Sequence, residues 1–498
     1  MFHSLRGSLR RIHPILLVET GSAGLWPLVR DTRPKAFADI RSNQSPLRAV
    51  LSLVDTPQFA PPLISLPQKF GQHLARHLQS AHITDYTAVF EPTPNGSALA
   101  LAAVSLEMMD IDPDRLLLIL PDDRNIQNVA DFHGALRAAS GCAQAGEIVT
   151  FGTKLLRGEK VHGYVRITGD EDPQMSPQLT RAYKAHVEDC EAEEIRQGPS
   201  VLQTVLQTTG IFLIKAGVLV ETFERLAPDL LKTARMARTL ARPSPHGQLW
   251  DGKVWARAEA HDFEEAIIEN LAELKAMSLA APCQSFDSWT SVWEALPKDA
   301  DGNALHGQAK ALACTNSLLR SEDEGVVLVG LGLRDVVAVA TPDAVLVTDK
   351  AHAADLGAFE RHVPLDLPEA YLARKTAPVQ EMPWGHVRPL DDGHRYAVHH
   401  RTLAPGAALE ACQPLYRSEH WIVVSGTAEV HVNGTRSLVS EGQSIHLEAM
   451  SERQLCNPGK VPLVLIEIQT GGYLAEDDGL ADHVPVSSMR EILPSETG

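Results

Sequence analysis

Arg115-Leu-Leu-Leu-Ile-Leu120, followed by Pro121-Asp122-Asp123, is the stretch that decides the fold of the first part of this 498-residue chain. A run of five apolar residues closed by a turn signal is typical of a strand buried on both faces of a parallel sheet. Ligands of such sheets bind at the carboxyl ends of the strands. We therefore expect Asp122 and Asp123 to lie at a functional site.

Strand and helix patterns alternate around this stretch. Apolar runs predict strands, and Ala/Leu-rich segments with helical spacing predict helices. The strands are expected at 14–18, 62–66 and 87–90, and the helices at 70–78 and 97–109. Strands separated by helices of this length predict a mostly parallel sheet covered on both faces. The small-residue turn Thr20–Gly24 then lies at the carboxyl end of the first strand.

The pattern changes twice further along the chain. Residues 325–349 contain β-branched runs without helices between them, which predicts a small β-rich connector. After Lys375, short strands alternate with turns such as Asn433-Gly434, which predicts a compact β-barrel. We predict an α/β domain over 12–290, a connector over 291–375, a barrel over 376–480 and a tail over 481–498.

Composition excludes several classes of partner. The chain has 45 Lys and Arg against 63 Asp and Glu, a formal charge of −18, so nucleic acid is not an expected ligand. Its six cysteines form no C-x-x-C pair, which favours a reduced, cytoplasmic protein. Its apolar runs are shorter than the ~18 residues of a membrane span. The first 18 residues lack the pattern of a secretory signal.

Two segments carry a specific likeness to a known family. Leu25-Trp-Pro-Leu-x-Arg30 with Pro34-Lys35 resembles the N-terminal signature of bacterial mannose-1-phosphate guanylyltransferases. Arg417-x-Glu-His-Trp-x-Val-Val-Ser-Gly-Thr-Ala428 resembles their C-terminal cupin, which is a mannose-6-phosphate isomerase in the bifunctional members. Shorter matches, such as Glu91-Pro92 and Thr341-x-Asp343-Ala344, follow in order along nearly the whole chain. The resemblance implies a Rossmann-like, GT-A-like α/β nucleotidyltransferase domain followed by an all-β cupin barrel.

The resemblance also implies an activity and a site. Guanylyl transfer from GTP to mannose 1-phosphate yields GDP-mannose for polysaccharide biosynthesis, and these three compounds are the expected ligands. The family pattern places Lys35 on phosphate and Asp123 on Mg²⁺. It places Gly21, Asn95, Gly163 and Glu188 around the nucleotide and the sugar. Taken alone, Lys35 is also consistent with a surface salt bridge and Asp123 with a helix N-cap.

Departures from the family pattern fall on the chemistry of this site. Gly24 stands where the family has a phosphate-binding arginine, and Pro94 replaces a second one. Glu188-Asp189-Cys190 replaces Glu-Lys-Pro, and the second metal carboxylate is missing unless Asp287 takes its place. An arginine on a transferring phosphoryl group is worth ~10³–10⁵ in rate.

These losses lead to two functional hypotheses. The first is a pseudoenzyme, a paralogue with impaired catalysis that binds a sugar nucleotide or regulates the pathway, as a homo-oligomer or with an active relative. The alternative is an active mannose-1-phosphate guanylyltransferase with an inactive cupin.

The cupin has lost most of its metal ligands. Three of the four expected ligand positions hold Cys412, Pro414 and Arg453, and only Glu419 remains as a vestigial ligand. Proline cannot coordinate a metal, arginine has no lone pair to give, and one carboxylate does not make a zinc site. We therefore expect no metal in the cupin.

Other residues of the barrel are candidates to fill the vacated space. Replacement ligands would have to come from His446 or from whichever of His399 and His400 faces inward. We predict instead that Tyr416 and Arg453 pair inside the barrel.

Overall fold

The computed structural model describes residues 11–18, 23–41, 45–154, 163–168, 173–185, 205–244, 247–353, 356, 379–382, 384–409 and 411–474. Gly21, the Glu188–Cys190 segment and the predicted tail lie outside the described residues. The chain divides into two compact units, Met1–Lys375 and Thr376–Gly498, here called unit 1 and unit 2. None of the helices in the described ranges combines the length and apolar character needed to cross a membrane.

Unit 1 contains a large sheet with helices around it. The strands of this part of unit 1 are β1 (His13–Leu17), β2 (Leu63–Pro67), β3 (Thr87–Glu91), β4 (Leu116–Pro121), β5 (Asn125–Ile126), β6 (Val149–Lys154), β7 (Tyr164–Thr168), β8 (Gln178–Lys184), β9 (Val205–Lys215), β10 (Arg242–Ser244), β11 (Gly247–Leu249), β12 (Lys275–Leu279) and β13 (Cys283–Gln284). All of them belong to the large sheet except β5 and β13, which pair with each other. Its helices are α1 (Pro46–Val54), α2 (Gly71–Ser80), α3 (Gly96–Ile111), α4 (Val129–Gln144), α5 (Ala216–Leu226), α6 (Pro228–Thr239), α7 (Gly252–Trp255), α8 (Phe263–Ala266), α9 (Trp289–Ala295) and α10 (Lys350–Ala353). The strands and helices predicted around the central run are confirmed.

The sheet is mixed rather than mostly parallel. Its strand order is β10-β11-β3-β2-β1-β4-β9-β6-β12-β8-β7. The run from β11 to β4 is parallel, but β9 lies antiparallel to both β4 and β6. The prediction of a mostly parallel sheet is therefore wrong for the half of the sheet that begins at β9. This long strand lies in the middle of the sheet and runs antiparallel to both of its neighbours.

Both faces of the sheet are covered. Ile15 and Leu16 of β1 point to opposite sides and join two separate core clusters, as alternation along a strand requires. Residues 98–108 of α3 are all buried. A helix that is apolar on every side belongs in an interior, and α3 packs against the sheet, α5 and α6. This packing fixes the carboxyl ends of β1–β4, where the candidate site lies.

The last part of unit 1 is a small coil of short strands. These are β14 (Ala304–His306), β15 (Ala309–Leu312), β16 (Leu318–Ser321), β17 (Leu328–Leu331), β18 (Val336–Ala340) and β19 (Val345–Asp349). β14, β16 and β18 pair in parallel, as do β15 and β17, so strands from successive turns stack on one another. Leu318 and Val337 share a core with Leu25 and Ile40, which ties the coil to the start of the chain.

Unit 2 is the predicted β-barrel. Its strands are β20 (Gln380–Met382), β21 (Gly385–Gly393), β22 (Tyr396–Leu403), β23 (Arg417–Ser425), β24 (Thr427–Val432), β25 (Thr435–Ser440), β26 (Ser444–Leu447), β27 (Arg453–Cys456) and β28 (Leu463–Gly471). They form a six-stranded and a three-stranded sheet. Asn433 and Gly434 both have positive φ (46° and 77°), the conformation of a two-residue hairpin turn between β24 and β25.

Candidate functional site

A cavity of about 200 Å³ opens at the carboxyl ends of the central strands of unit 1. Leu17 and Val18 line it from the end of β1, Pro67 from β2 and Glu91 from β3, and Asn95 closes it at the start of α3. This is the place where open α/β sheets bind ligands. It is also large enough to take part of a nucleotide-sized molecule.

Glu91 is the buried acid of this cavity. Its Oε1 accepts a hydrogen bond of 2.7 Å from the Ser65 hydroxyl, and the residue is only 8% exposed. Burial raises the pKa of Glu91 to about 7, although the hydrogen bond from Ser65 acts in the opposite direction. The cavity therefore contains a carboxyl group that is partly protonated at neutral pH. In the sequence, Glu91 stands out only as part of the Glu91-Pro92 motif.

Asn95 lines the cavity, but its side-chain amide is already used. Its Nδ2 donates hydrogen bonds of 3.2 and 3.0 Å to the carbonyls of Trp255 and Ala258. These bonds fix the loop before α3 against α7 and the residues that follow it. The described contacts thus give Asn95 a positioning role at the wall of the cavity.

Lys35 and Asp123 form a buried ion pair. The Nζ of Lys35 lies 2.7 Å from Oδ2 of Asp123, and both side chains are about 7% exposed. Burial by itself raises the pKa of Asp123, but the charges of Lys35 and Arg124 outweigh it and lower the pKa to about 2. Asp123 is not a helix N-cap, because Asn128 caps α4. Lys35 is therefore not part of a surface salt bridge and Asp123 is not a helix N-cap, the two structural alternatives that the sequence left open.

Asp287 approaches the same ammonium group. Its Oδ1 lies 3.2 Å from Nζ of Lys35, its side chain is half exposed, and Ser285 donates a short hydrogen bond to its other oxygen. Two carboxylates from distant parts of the chain thus converge on Lys35. Carboxylate oxygens are the ligands that Mg²⁺ prefers, so Asp123 and Asp287 would be the residues that hold the metal that the resemblance implies, once the flexible side chain of Lys35 moves from between them. Within the described ranges, no group of three or more His, Cys, Asp or Glu side chains could hold a metal ion.

Gly24 lies directly against the backbone of Asp287. A Cβ atom at Gly24 would stand 1.9 Å from the carbonyl oxygen of Asp287 and 3.5 Å from Cα of Ser288. This separation is far inside van der Waals contact, so no side chain fits at position 24 in this arrangement. A substitution of Gly24 by the phosphate-binding arginine of the family would therefore require the backbone at Asp287 to move.

Arg124 is a further cation of this site, and no motif of the sequence indicated a role for it. Its Nε lies 3.7 Å from Oδ1 of Asp123 and has no hydrogen-bond partner among the described residues. Burial lowers the pKa of Arg124, but the acidic groups around it, Asp123 first, raise it above its usual value. Arg124 follows Asp123 directly in the sequence. It therefore returns one positive charge to the site.

Arg30 links two family motifs that are 313 residues apart. Its Nη1 and Nη2 donate hydrogen bonds of 2.7 and 2.8 Å to the two oxygens of Asp343, and its Nε donates to the carbonyl of Pro27 at 2.7 Å. The guanidinium thus anchors the loop between Gly24 and Lys35 to the β-coil. Both motifs are visible in the sequence, but their contact is visible only in the structure.

Gly163 is a close-packing residue in the described structure. A Cβ atom there would lie 2.3 Å from the carbonyl oxygen of Ala185 and 2.6 Å from Oγ1 of Thr208. Ala185, directly after β8, and Thr208 of β9 leave no room for a side chain. Its predicted role in sugar binding stays a prediction.

Inside the barrel of unit 2, Glu419 is held by charged groups. Its Oε1 accepts a hydrogen bond of 3.0 Å from Nε of Arg417, and its Oε2 accepts one of 3.1 Å from Nε1 of Trp421. Nη1 of Arg453, a fully buried side chain, lies 3.2 Å from Oε2. Burial and the nearby charge of Glu467 raise the pKa of Glu419.

A second buried carboxylate lies beside Glu419. Glu467 Oε2 accepts from Nε of Arg401 at 2.7 Å and lies 3.2 Å from Nδ1 of His399. Burial raises the pKa of Glu467, but Arg401 and His399 outweigh it and lower the pKa to about 2. His399 is thus the member of the His399-His400 pair that faces inward. His446 is exposed and packs edge-on against His420, with ring centroids 6.0 Å apart.

The predicted pairing of Tyr416 with Arg453 is wrong. Tyr416 is 62% exposed and packs edge-on against Tyr473, because it precedes the strand whose inward residues are 417, 419 and 421. Arg453 instead places its guanidinium against Glu419. The barrel residues therefore do not fit the metal of the isomerase cupins, since a fixed positive charge already lies beside the remaining ligand.

Comparisons with known proteins agree with both units. Residues 14–232 match the nucleotidyl transferase family, and residues 374–481 match the mannose-6-phosphate isomerase C-terminal family. The chain is 30% identical to the mannose-1-phosphate guanylyltransferase ManC of Salmonella typhimurium over 94% of its length and 96% of that protein. It is 31% identical to the xanthan biosynthesis protein XanB of Xanthomonas campestris over 93% of its length and 97% of that protein.

A solved structure supports the fold. The crystal structure titled mannose-1-phosphate geranyltransferase from Thermus thermophilus covers 71% of this chain and 99% of its own, with a TM-score of 0.59 and 19% identity.

Proposed function

We propose, since this chain belongs to the family of bacterial mannose-1-phosphate guanylyltransferases, that unit 1 binds GTP, GDP-mannose and mannose 1-phosphate but transfers the guanylyl group slowly. The relatives are named as a mannose-1-phosphate guanylyltransferase, an alginate biosynthesis protein and a xanthan biosynthesis protein. The cavity at the ends of β1–β3 and the Lys35–Asp123–Asp287 group are the features that support ligand binding. In this proposal the chain acts as a sugar-nucleotide-binding or regulatory paralogue.

The roles of the charged residues follow from their positions. Lys35 is a positive charge for a phosphate oxygen once its carboxylate partners are engaged elsewhere. Asp123 and Asp287 would hold Mg²⁺, which when bound neutralises phosphate charge. Arg124, beside Asp123, would orient a second phosphate oxygen through its partner-free Nε.

One observation supports the proposal that guanylyl transfer is slow. The carbonyl of Asp287 occupies the space of a side chain at Gly24, so no cation can extend from that position toward a phosphate. A cation that acts on the transferring group contributes ~10³–10⁵ in rate. We therefore expect turnover at least ~10³-fold below a usual rate of ~1–10³ s⁻¹.

A second candidate function is an active guanylyltransferase with an inactive cupin. Asp287 beside Asp123 and the added cation Arg124 are the observations that favour it. In this case Arg124 replaces the lost arginine in its electrostatic role.

Two measurements on the full chain separate the candidates. Calorimetric titration with GTP and with GDP-mannose, with and without Mg²⁺, measures binding, and pyrophosphate release from GTP and mannose 1-phosphate measures transfer. We expect binding without turnover in the usual range. Turnover in that range would establish the active enzyme instead, and absence of binding would contradict both candidates.

A matched pair of variants tests the proposed metal carboxylate. Asp287→Asn should weaken Mg²⁺-dependent binding by on the order of tenfold, because one of two ligand carboxylates is lost. Asp335→Asn is the control, since Asp335 is also an exposed carboxylate beside a lysine, Lys350, but lies in the β-coil. Equal effects of the two substitutions would refute the assignment of Asp287.

A further inference from the structure

Two exposed histidines lie opposite each other on the outer surface of the unit 2 barrel. His420 of β23 and His446 of β26 are direct partners in the antiparallel ladder that joins these strands. Side chains alternate between the two faces of a strand, so a strand that turns Glu419 inward turns His420 outward. The two residues, here called the cross-strand histidine pair, therefore lie on the opposite face of the sheet from Glu419.

The imidazole rings of the cross-strand histidine pair are close enough to bind one metal ion. Their centroids are 6.0 Å apart and their planes meet at 74°. Two imidazoles on one zinc ion, each with a Zn–N distance of ~2.0–2.1 Å, have ring centroids about 5–6 Å apart. Exposed side chains change rotamer rapidly, so rotation of the two rings brings one nitrogen of each to a common ion without a movement of the strands.

The ring nitrogens of the pair are not engaged by other groups. Among the residues that the structure describes, neither imidazole makes a hydrogen bond or an ion pair, and each has ring contact only with the other. By comparison, His399 pairs with Glu467, and His431 pairs with Glu429. A neutral imidazole nitrogen is the commonest metal ligand in proteins. The cross-strand histidine pair thus presents two available ligands to solvent.

The surroundings of the pair do not repel a cation. β23 lies between β28 and β26 in the sheet. The outward positions of these three strands hold the two histidines together with serine, threonine, valine and isoleucine, and none of them holds lysine or arginine. On the inner face of β23, in contrast, the guanidinium of Arg453 lies 3.2 Å from Glu419. The two faces of one strand therefore differ in the charge that they can accept.

We propose that the cross-strand histidine pair binds a divalent transition-metal ion of the class that imidazole suits, which includes Zn²⁺, Ni²⁺ and Cu²⁺. Mg²⁺ prefers oxygen ligands, so this site differs in chemistry from the carboxylates of Asp123 and Asp287. No group of three or more His, Cys, Asp or Glu side chains in the described part of the chain could hold a metal ion. The pair therefore supplies two ligands, and water supplies the others.

A bound ion joins two strands through their side chains. β26 is at the edge of the six-stranded sheet and pairs in that sheet with β23 alone. An ion that needs both histidines in place binds only while β26 is attached, so it stabilises this state over any state in which the edge strand has opened. We therefore expect the metal to slow hydrogen exchange at the amides of β26.

Calorimetric titration of the full chain with Zn²⁺, in a buffer that does not chelate zinc, tests the site. His420→Gln and His446→Gln should each weaken zinc affinity on the order of 10–100-fold, because loss of a ligand costs no less than loss of a group that supports one. His431→Gln is the matched control, since His431 is a partly exposed histidine of the same barrel. Zinc bound elsewhere on the chain is common to all of these proteins. Wild-type affinity in either variant of the pair would overturn the proposal.

Two further measurements report on the ligands and on the strands. Electron paramagnetic resonance with one equivalent of Cu²⁺ should show two nitrogen ligands in the wild type, and an unchanged spectrum in His446→Gln would refute the site. Zinc should slow hydrogen exchange of β26 in the wild type and in His431→Gln, but not in His420→Gln. Equal slowing in all three proteins would contradict an ion held between β23 and β26. Both positions of the pair are exposed, so the variants are expected to fold.

Discussion

Replacement of Lys35 by methionine is the sharpest test of the site in unit 1. The change leaves Asp123 buried and without its ammonium partner at 2.7 Å. The shift of the pKa of Asp123 from 3.8 to about 2 corresponds to about 2 kcal/mol of stabilisation at neutral pH. Removal of one partner of a buried pair costs more, about 3–5 kcal/mol, because an uncompensated charge remains. We expect Lys35→Met to lower the free energy of unfolding by this larger amount.

Urea unfolding followed by tryptophan fluorescence measures the loss. Five of the seven tryptophans lie in unit 1, so the signal reports mainly on that unit. Lys215→Met is the matched control, because Nζ of Lys215 lies 2.8 Å from an oxygen of Asp114 whose side chain is 78% exposed. An exposed pair is worth about 0–1 kcal/mol. Equal losses in the two variants would refute the description of Lys35 as part of a buried ion pair.

Three other predictions concern unit 1. Burial raises the pKa of Glu91 from 4.5 to about 7, so the protonated acid stabilises the fold below pH ~4.5 and this stability is lost as the pH rises through about 7; Glu91→Gln should remove about 3 kcal/mol of that dependence, measured by urea midpoints across this range. Gly24→Ala should cost about 1–3 kcal/mol by overpacking, whereas Gly141→Ala, in an open position on α4, should gain about 0.5–1 kcal/mol, and similar urea midpoints for the two would contradict the clash. Arg30→Lys should cost about 1–3 kcal/mol through loss of the two bonds to Asp343, and a double variant with Asp343→Asn should cost little more; additive losses in urea unfolding would contradict the pairing.

Local signals in the sequence predicted much of the fold. The run ending at Leu120 predicted β4 because five apolar residues in succession are hard to place anywhere but in a buried strand. The direction of β9 was not predictable in this way, because antiparallel pairing with β4 and β6 depends on contacts between residues far apart in the chain. The pattern of apolar residues indicates which residues are buried, but not which strand pairs with which.

The site was predicted less completely than the fold. Lys35 and Asp123 were identified through the family pattern, and the structure brings them together, although it leaves their roles in catalysis a prediction. Alternation could have corrected the expectation for Tyr416, since a strand that turns Glu419 inward also turns residue 416 outward. The pairing of Arg30 with Asp343 could not be predicted from the sequence, because the two residues belong to separate motifs and neither motif indicates the other as its partner.

Gly24 and Asp287 are two parts of one change in the site. The missing Cβ at Gly24 lets the backbone of Asp287 come close, and the same approach brings the Asp287 carboxylate to Lys35. The family's phosphate-binding arginine at position 24 and this position of Asp287 therefore exclude each other sterically. With Arg124 included, the site has two cations, Lys35 and Arg124, against the carboxylates of Asp123 and Asp287 and of the buried Asp122, whose charge also acts on Lys35, so it has no positive charge to spare for a nucleotide. A bound triphosphate adds several negative charges, and for this reason ligand binding at this site depends on the oxygen ligands that Asp123 and Asp287 offer to Mg²⁺.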